Sequence, residues 1–439
     1  MNRGTGANLP GLRGHNAALL LGLLRGAGAE GLGRGELAAR TGLTPQAVSK
    51  ITARLRGDGL VAEAGRGEST GGKPRTLLRL VPEAGHAVGV HLDRDALRVV
   101  RVDLAGRVVA EVRSAVDFGW GPDAVADAVV GAVGEVCAGA SGLAARGLDV
   151  SDVDVSGVGP SDVDLSGVGL SDLGLSGVDP SDVGLAGAGL PDVGLLGAGL
   201  PGVEPAVAVP VGAGVRTPGR LRAALPDVLG VLGVGVAAPG PLDRRTGVLG
   251  RVTGHPEWEG FELREVLAER LGVPVELDKD TNAGAAAAAD AGRPGPTAYV
   301  HVGTGIGAGL LLDGEVYRGR DGRSAAGEFG HQVLMLDGPP CRCGARGCVE
   351  VLCLAAVARG DVAEAARVLG EAVANLVALL DVERVLLGGR VVEADPAGFV
   401  TGVARAVRAR GTAEVLPARV GVAEGAAELV LAPLFGGAG

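Results

Sequence analysis

Between His331 and Glu350 the chain sets His331, Cys341, Cys343 and Cys348 at the spacing H-x9-C-x-C-x4-C and closes the run with Glu350. An imidazole and three thiolates so close together can surround one tetrahedral zinc, with Zn–S bonds near ~2.3 Å and Zn–N bonds near ~2.1 Å. This spacing predicts a structural zinc held by those four side chains.

A disulfide framework competes with that reading, but such frameworks belong to small secreted domains. This chain has 439 residues and five cysteines, an odd number. Cys137 and Cys353 fall outside the pattern and read as buried thiols. The only early apolar run, residues 17–24, is short for an export signal and sits inside a helical pattern. No apolar stretch reaches the ~20 residues that a membrane span needs. A soluble, cytoplasmic protein is expected, and its length suggests two or three domains.

The segment Gly327-Glu328-Phe329-Gly330-His331, followed by Cys341-Arg342-Cys343-Gly344-Ala345-Arg346-Gly347-Cys348-Val349-Glu350, resembles the signature of the ROK family of repressors, open reading frames and sugar kinases. The resemblance covers most of residues 15–435 apart from one insertion. It implies an α/β body of the actin-like, two-lobed ATPase (ribonuclease H-like) class whose cleft binds a sugar. Glu328, His331 and Glu350 match sugar contacts of the family. Carboxylates suit vicinal hydroxyls because each accepts two hydrogen bonds. The resemblance gives His331 two tasks, one ring nitrogen on zinc and the other toward the sugar, so that the ligand and the metal loop are coupled.

The net charge of -10 conceals an asymmetry. Residues 1–80 hold twelve Lys/Arg against five Asp/Glu, whereas the remainder holds 29 against 46. A basic head on an acidic body points to a polyanion that binds the head alone. Within the head, residues 15–25 form an apolar helical run and residues 34–41 a short helix ended by Gly42. Thr44 and Pro45 then supply a cap and a first-turn proline for a third helix to about Arg56.

That order is helix-turn-helix. Ala47, Val48, Ile51 and Leu55 can face inward, which leaves Thr44, Gln46, Ser49, Lys50 and Arg54 for base edges and phosphates. Two strands around the Gly-rich loop 65–75, with Arg66, Lys73 and Arg75, read as a wing, and residues 69–75 resemble the wing that joins head to body in ROK repressors. A three-helix packing module with a solvated basic face is the competing reading. Free-standing ROK kinases lack such a head.

Strands are expected at 88–90, 97–103 and 108–113. In the family's kinases the first hairpin turn reads D-I-G-G-T, with its carboxylate on magnesium and its glycines open to phosphate. Here the stretch is His91-Leu92-Asp93-Arg94-Asp95. Both glycines are gone, and two carboxylates stand where phosphate would approach, so ATP binding is expected to be lost or badly impaired.

Residues 233–243 resemble the sugar-side loop, and Asp278-Lys279-Asp280-Thr281-Asn282 the strand end that carries Asn-Asp in the kinases. Asp280 keeps the place of the general base and Lys279 replaces the Asn that touches the sugar; a plain ion pair between them is the alternative. Near Trp258, residues 254–256 read Gly-His-Pro where the family often has Asn, which leaves the sugar's identity open. Residues 303–309 resemble a second phosphate loop, although such glycines also serve close packing, and 386–390 resemble the adenosine-side loop with Arg390 in place of a small residue. A helix over 362–380 is expected to pack on the second lobe.

Residues 151–204 repeat nearly every ten, which reads as a flexible, low-complexity insertion rather than a small β-solenoid. The expected domains are a winged helix-turn-helix at 1–82, a first part of the body at 83–140, the insertion at 141–228 and the remaining body at 229–439, with its zinc loop at 328–350.

A sugar-responsive transcriptional repressor that binds double-stranded DNA as a homodimer or homotetramer, without enzymatic activity, fits these features best. An ATP-dependent sugar kinase with a DNA-binding head is the alternative, and a DNA-binding protein with a ligand-blind body is a third reading.

Overall fold

The computed structural model describes residues 9–66, 75–144, 230–288, 295–320 and 326–436. The chain divides into one unit of residues 1–145 and 217–439 and another of 146–216. The decapeptide repeat lies outside the described residues, as does Lys73.

The amino-terminal part runs α1 (Leu9–Ala27), β1 (Leu32–Gly33), α2 (Arg34–Thr41), α3 (Pro45–Gly57), β2 (Val61–Arg66) and β3 (Thr76–Leu80). Gly42, at φ 70°, ends α2 by turning its N–H onto the Ala38 carbonyl. The Thr44 hydroxyl then accepts from the Ala47 N–H, and Pro45 opens α3. Val48, Thr52 and Leu55 face inward along α3, and the buried Thr52 hydroxyl is satisfied by donating to the Val48 carbonyl.

β3 lies antiparallel between β2 and β1, which makes the sheet three-stranded. With only two residues, β1 is too short to leave an alternating pattern in the sequence. α1 belongs to the body as much as to the head. Leu20, Leu21 and Leu24 share a core with Val100, Val102, Ala427 and Leu431, and Arg25 makes paired bonds of 2.6 and 2.8 Å to Glu428.

The body opens with an antiparallel meander, β4 (His86–Leu92), β5 (Ala96–Asp103) and β6 (Val108–Ala115), followed by α4 (Pro122–Ala144). β7 (Val231–Ala238) returns parallel to β4. A hairpin of β8 (Leu242–Asp243) and β9 (Val248–Leu249), then α5 (Leu263–Leu271), leads to β10 (Val275–Lys279), parallel to β7, and α6 (Asp280–Ala287) starts where β10 ends.

The second half repeats this plan. A meander of β11 (Thr297–Val302), β12 (Ile306–Leu312) and β13 (Glu315–Val316) precedes α7 (Val349–Ala358), α8 (Val362–Leu380), β14 (Arg384–Gly388), α9 (Arg390–Ala394), α10 (Pro396–Arg408), β15 (Glu414–Pro417) and α11 (Val422–Leu431). The sheet orders, β10-β7-β4-β5-β6 and β13-β12-β11-β14-β15, are one topology used twice. The body is therefore a two-lobed α/β fold, and its first hairpin turns, at 93–95 and 303–305, hold equivalent places in the two lobes.

Between the sheets lie α11, against β4 and β7, and α6, against β12. Their approach is closer than any side chain allows. A Cβ on Gly89 or Gly235 would sit 1.9 or 1.8 Å from the carbonyl oxygen of Ala423 or Ala426, and one on Gly425 would sit 1.9 Å from that of Ala283. The outer faces are closed by apolar clusters dominated by Val, Leu and Ala, one under α4 and α5 and one under α8 and α10.

Replacing Gly235 with Ala should therefore separate α11 from its sheet. A loss of at least about 2 kcal/mol in chemical denaturation is expected, at the upper part of the range for overpacked cores, and an unchanged midpoint would contradict this packing.

Candidate functional site

A cleft of about 570 Å³ lies between the lobes, and Lys279, Asp280, Glu328, His331 and Glu350 all line it. These five positions are brought together from β10, the first turn of α6, the short turn Phe329–His331 and the first turn of α7. Lys279 does not pair with its neighbour Asp280. Its Nζ donates to Glu328 Oε1 at 2.6 Å and to the Ala326 carbonyl at 3.3 Å.

Asp280 Oδ1 accepts from the Thr281 N–H, and burial pushes its carboxyl above the usual carboxylate range. Glu350 Oε2 accepts from the Ile306 N–H at 2.9 Å, so one of its oxygens is committed to holding the 303–305 turn.

Asp278 is a residue whose importance the sequence did not signal. It is fully buried, and it accepts from the Lys279 N–H, Asn282 Nδ2 and Arg318 Nε at 2.8, 2.8 and 2.7 Å. The only cue was a carboxylate inside a strand whose other side faces the core. Arg94, Arg251 and Arg342 also line the cleft, from positions too far apart in the chain to form a motif. Trp258 is buried away from the cleft; it stacks on Phe118 at 4.1 Å and donates from Nε1 to the Phe118 carbonyl, fixing the loop that brings Gly254 to the cleft wall.

The two hairpin turns are joined across the lobes. The Thr304 hydroxyl donates to Asp93 Oδ1 at 2.5 Å, and Arg390 pairs with Asp95 at 2.7 Å. Behind them the His91 and His301 rings meet edge to face at 5.5 Å.

The ligand atoms of His331, Cys341, Cys343 and Cys348 lie within 4.8 Å of one another. His331 Nδ1 is 3.7 Å from Cys341 Sγ, and Cys343 Sγ is 3.7 Å from Cys348 Sγ. Bonds near ~2.3 Å to a tetrahedral metal place sulfurs about 3.8 Å apart, so these residues fit a metal ion with little movement. Burial and the neighbouring thiols push Cys348 up to about 12. A central cation relieves that crowding by favouring the thiolates. Cys137 and Cys353 are buried elsewhere, where burial pushes their thiols up to about 11 and about 12.

In the head, Thr44, Gln46, Ser49, Lys50 and Arg54 are exposed along α3, and Arg75 is exposed just before β3. Arg66 closes β2, and its side chain lies outside the described residues.

Residues 219–358 match the profile of the ROK family. The chain carries a ROK family domain. It is 30% identical over 129 residues to a glucokinase of Thermotoga maritima and 26% identical over 125 residues to the xylose repressor of Bacillus subtilis. Those stretches are 29% and 28% of this chain, and they span 40% and 32% of the relatives' own lengths.

Among solved structures, a ROK family transcriptional regulator, a homolog of the Escherichia coli MLC protein, shares the fold over 97% of both chains with a TM-score of 0.63 at 18% identity. A ROK glucokinase of Streptomyces griseus, in complex with glucose and AMPPNP, shares it over 79% of this chain and 99% of its own, with a TM-score of 0.51 at 20% identity. The body thus shares the two-lobed α/β fold of these ROK proteins and, as in the regulator, follows an amino-terminal domain.

The half-buried Asp280 carboxylate costs folding energy at neutral pH, because its pKa is raised on folding and the unfolded chain gives up the proton more readily. Asp280→Asn keeps an oxygen for the Thr281 N–H and should raise the melting temperature at pH 7. The gain should shrink as pH falls and the Asp280 carboxyl is protonated in both states; a gain that grew in acid would contradict the assignment.

Proposed function

We propose that this chain is a carbohydrate-responsive transcriptional repressor of the ROK type, whose body senses a sugar and does not phosphorylate it. The observation that carries this reading is the bridge between the two hairpin turns. Where a nucleotide-binding relative needs open glycines for phosphate, Asp93 is tied to Thr304 and Asp95 to Arg390. The Asp93 carboxylate stands where phosphate would approach, and its bond to Thr304 closes the gap between the turns.

Lys279, Asp280, Glu328, His331 and Glu350 present donors and acceptors suited to the hydroxyls of a sugar. Zinc, held by His331, Cys341, Cys343 and Cys348, stiffens the loop that positions His331 and the start of α7. The Gln46, Ser49, Lys50 and Arg54 face of α3 fits a major groove, with Arg66, Lys73 and Arg75 on adjacent phosphates. Two such heads on a homodimer or homotetramer would read paired half-sites. No described helix is long and apolar enough to cross a membrane.

α11 provides the connection between cleft and head. Glu424 pairs with Arg98 at 2.6 Å in a second cavity of about 450 Å³ that shares Asp93 and His301 with the cleft, and one turn later Glu428 holds Arg25 of α1. A sugar that favours one lobe arrangement thereby biases the head, and this is allosteric because the two arrangements differ in DNA affinity. A sugar kinase with a DNA-binding head is the second reading, favoured by the retention of Asp280.

The deciding experiment selects an operator from random duplexes with the purified full chain. It then follows fluorescence anisotropy against a panel of sugars, and in parallel ATP consumption with magnesium. Specific binding that one sugar shifts at least fivefold, without ATP turnover, is expected; turnover at ordinary kinase rates would overturn the assignment.

Lys50→Ala and Arg54→Ala should each weaken operator binding by about 1–3 kcal/mol if they reach bases, with the cleft's sugar affinity unchanged. Cys341→Ser or Cys343→Ser should release the bound zinc in metal analysis and weaken both sugar response and assembly. A zinc-free wild type would remove that part of the proposal.

A further inference from the structure

We infer that the ROK chain holds a second divalent transition-metal site, made by His91, Asp93 and His301 where the two lobes meet. One ring nitrogen of each histidine and a carboxylate oxygen of Asp93 lie within 4.8 Å of one another. His91 and Asp93 come from the β4–β5 hairpin of the first lobe and His301 from β11 of the second, and all three line the second cavity of about 450 Å³.

His91 Nε2 is buried without a hydrogen-bond partner. A buried polar atom left in that state costs about 1–3 kcal/mol, which a metal bond would offset. The other two ligands are already oriented by outer partners, as ligands usually are. Tyr299 Oη meets His301 Nδ1 at 3.3 Å, which leaves His301 Nε2 for a metal. The Thr304 hydroxyl occupies Asp93 Oδ1 and leaves Oδ2.

Those two remaining atoms flank one spot. A Cβ placed on Gly303 would lie 2.8 Å from His301 Nε2 and 3.3 Å from Asp93 Oδ2. Zinc bonds near ~2.1 Å bring tetrahedral ligand atoms about 3.4 Å apart, so a contraction of at most about 1.4 Å from the 4.8 Å limit completes the site.

Two imidazoles and one carboxylate select zinc, cobalt or nickel over magnesium or calcium, which prefer all-oxygen shells. An ion there would clamp the lobes together at the turns, with positions left for water. The site is separate from the His331 cluster and does not rest on the regulatory reading of the cleft.

The test uses the full chain as purified, its thiolate cluster filled, titrated with cobalt(II) chloride while heat and visible absorption are followed. One cobalt per chain is expected, with bands lacking the intense near-ultraviolet sulfur-to-cobalt absorption, and excess magnesium should not displace it. Asp93→Asn, which keeps an acceptor for Thr304, and His301→Gln should each weaken binding at least tenfold while retaining the wild-type zinc content and melting temperature. Absence of cobalt uptake by the wild type, uptake carrying thiolate bands, or equal affinity in a folded variant would overturn the proposal. Should both variants misfold, the wild-type spectrum alone decides.

Discussion

Everything else in this body depends on how closely α11 and α6 are pressed between the two sheets. The carbonyl oxygens of Ala423 and Ala426 occupy the space that a side chain on Gly89 or Gly235 would need, and Gly425 lets α11 meet α6 in the same way. Backbone-to-backbone contact leaves little freedom for sliding, since interiors packed at this density respond to displacement by strain rather than by flow. The distance between the lobes is thereby set, and with it the meeting of the 93–95 and 303–305 turns that have equivalent places in the two halves.

Once the turns meet, their side chains decide what the cleft can accept. Burial acts to raise the Asp93 carboxyl, but hydrogen bonds from the Thr304 hydroxyl and the Arg94 N–H bring it below its ordinary value, so it is an anion at physiological pH. On the Lys279 side of the cleft the charges are distributed differently. Lys279 is nearly buried and answers Glu328, Asp278 is answered by Arg318, and Glu350 is half spent on a backbone N–H. These pairings leave directional donors and acceptors, which suit the hydroxyls of a polyhydroxylated ligand.

Much of this was legible in the sequence because it is written locally. The helix-turn-helix order followed from a cap, a proline and a glycine; α8 was found at its observed bounds from apolar periodicity; and the His331–Cys348 spacing named four residues that do converge. What stayed hidden were relations between distant segments. Nothing near Lys279 says that it reaches Glu328, 49 residues on, rather than Asp280 beside it.

Asp278 looked like one more charge at a strand end. His301 carries no motif of its own, and only the repeat of one topology in two lobes brings it to His91. α1 read as a head helix because its leucines repeat at helical spacing, and the surface they cover, at residues 423–431, becomes visible only in three dimensions.

The same helix that sets the lobe spacing is also the floor of the head. Ala423, Ala427 and Leu431 belong to the head's core, whereas Val422 and Ala426 belong to the core between the lobes. No separate transmission element is then needed between a ligand in the cleft and the α1–α3 head. Arg25 and Glu428 are only about a quarter exposed and are joined by two charge-assisted bonds. Hydrogen bonds to charged groups contribute about 1.5–3 kcal/mol, which matches the coupling of about 1–3 kcal/mol that separates strong from weak binding in allosteric proteins. On the regulatory reading, loosening that one contact when the lobes rearrange is therefore sufficient in size, and the interior glycines supply the rigidity that carries the motion to it.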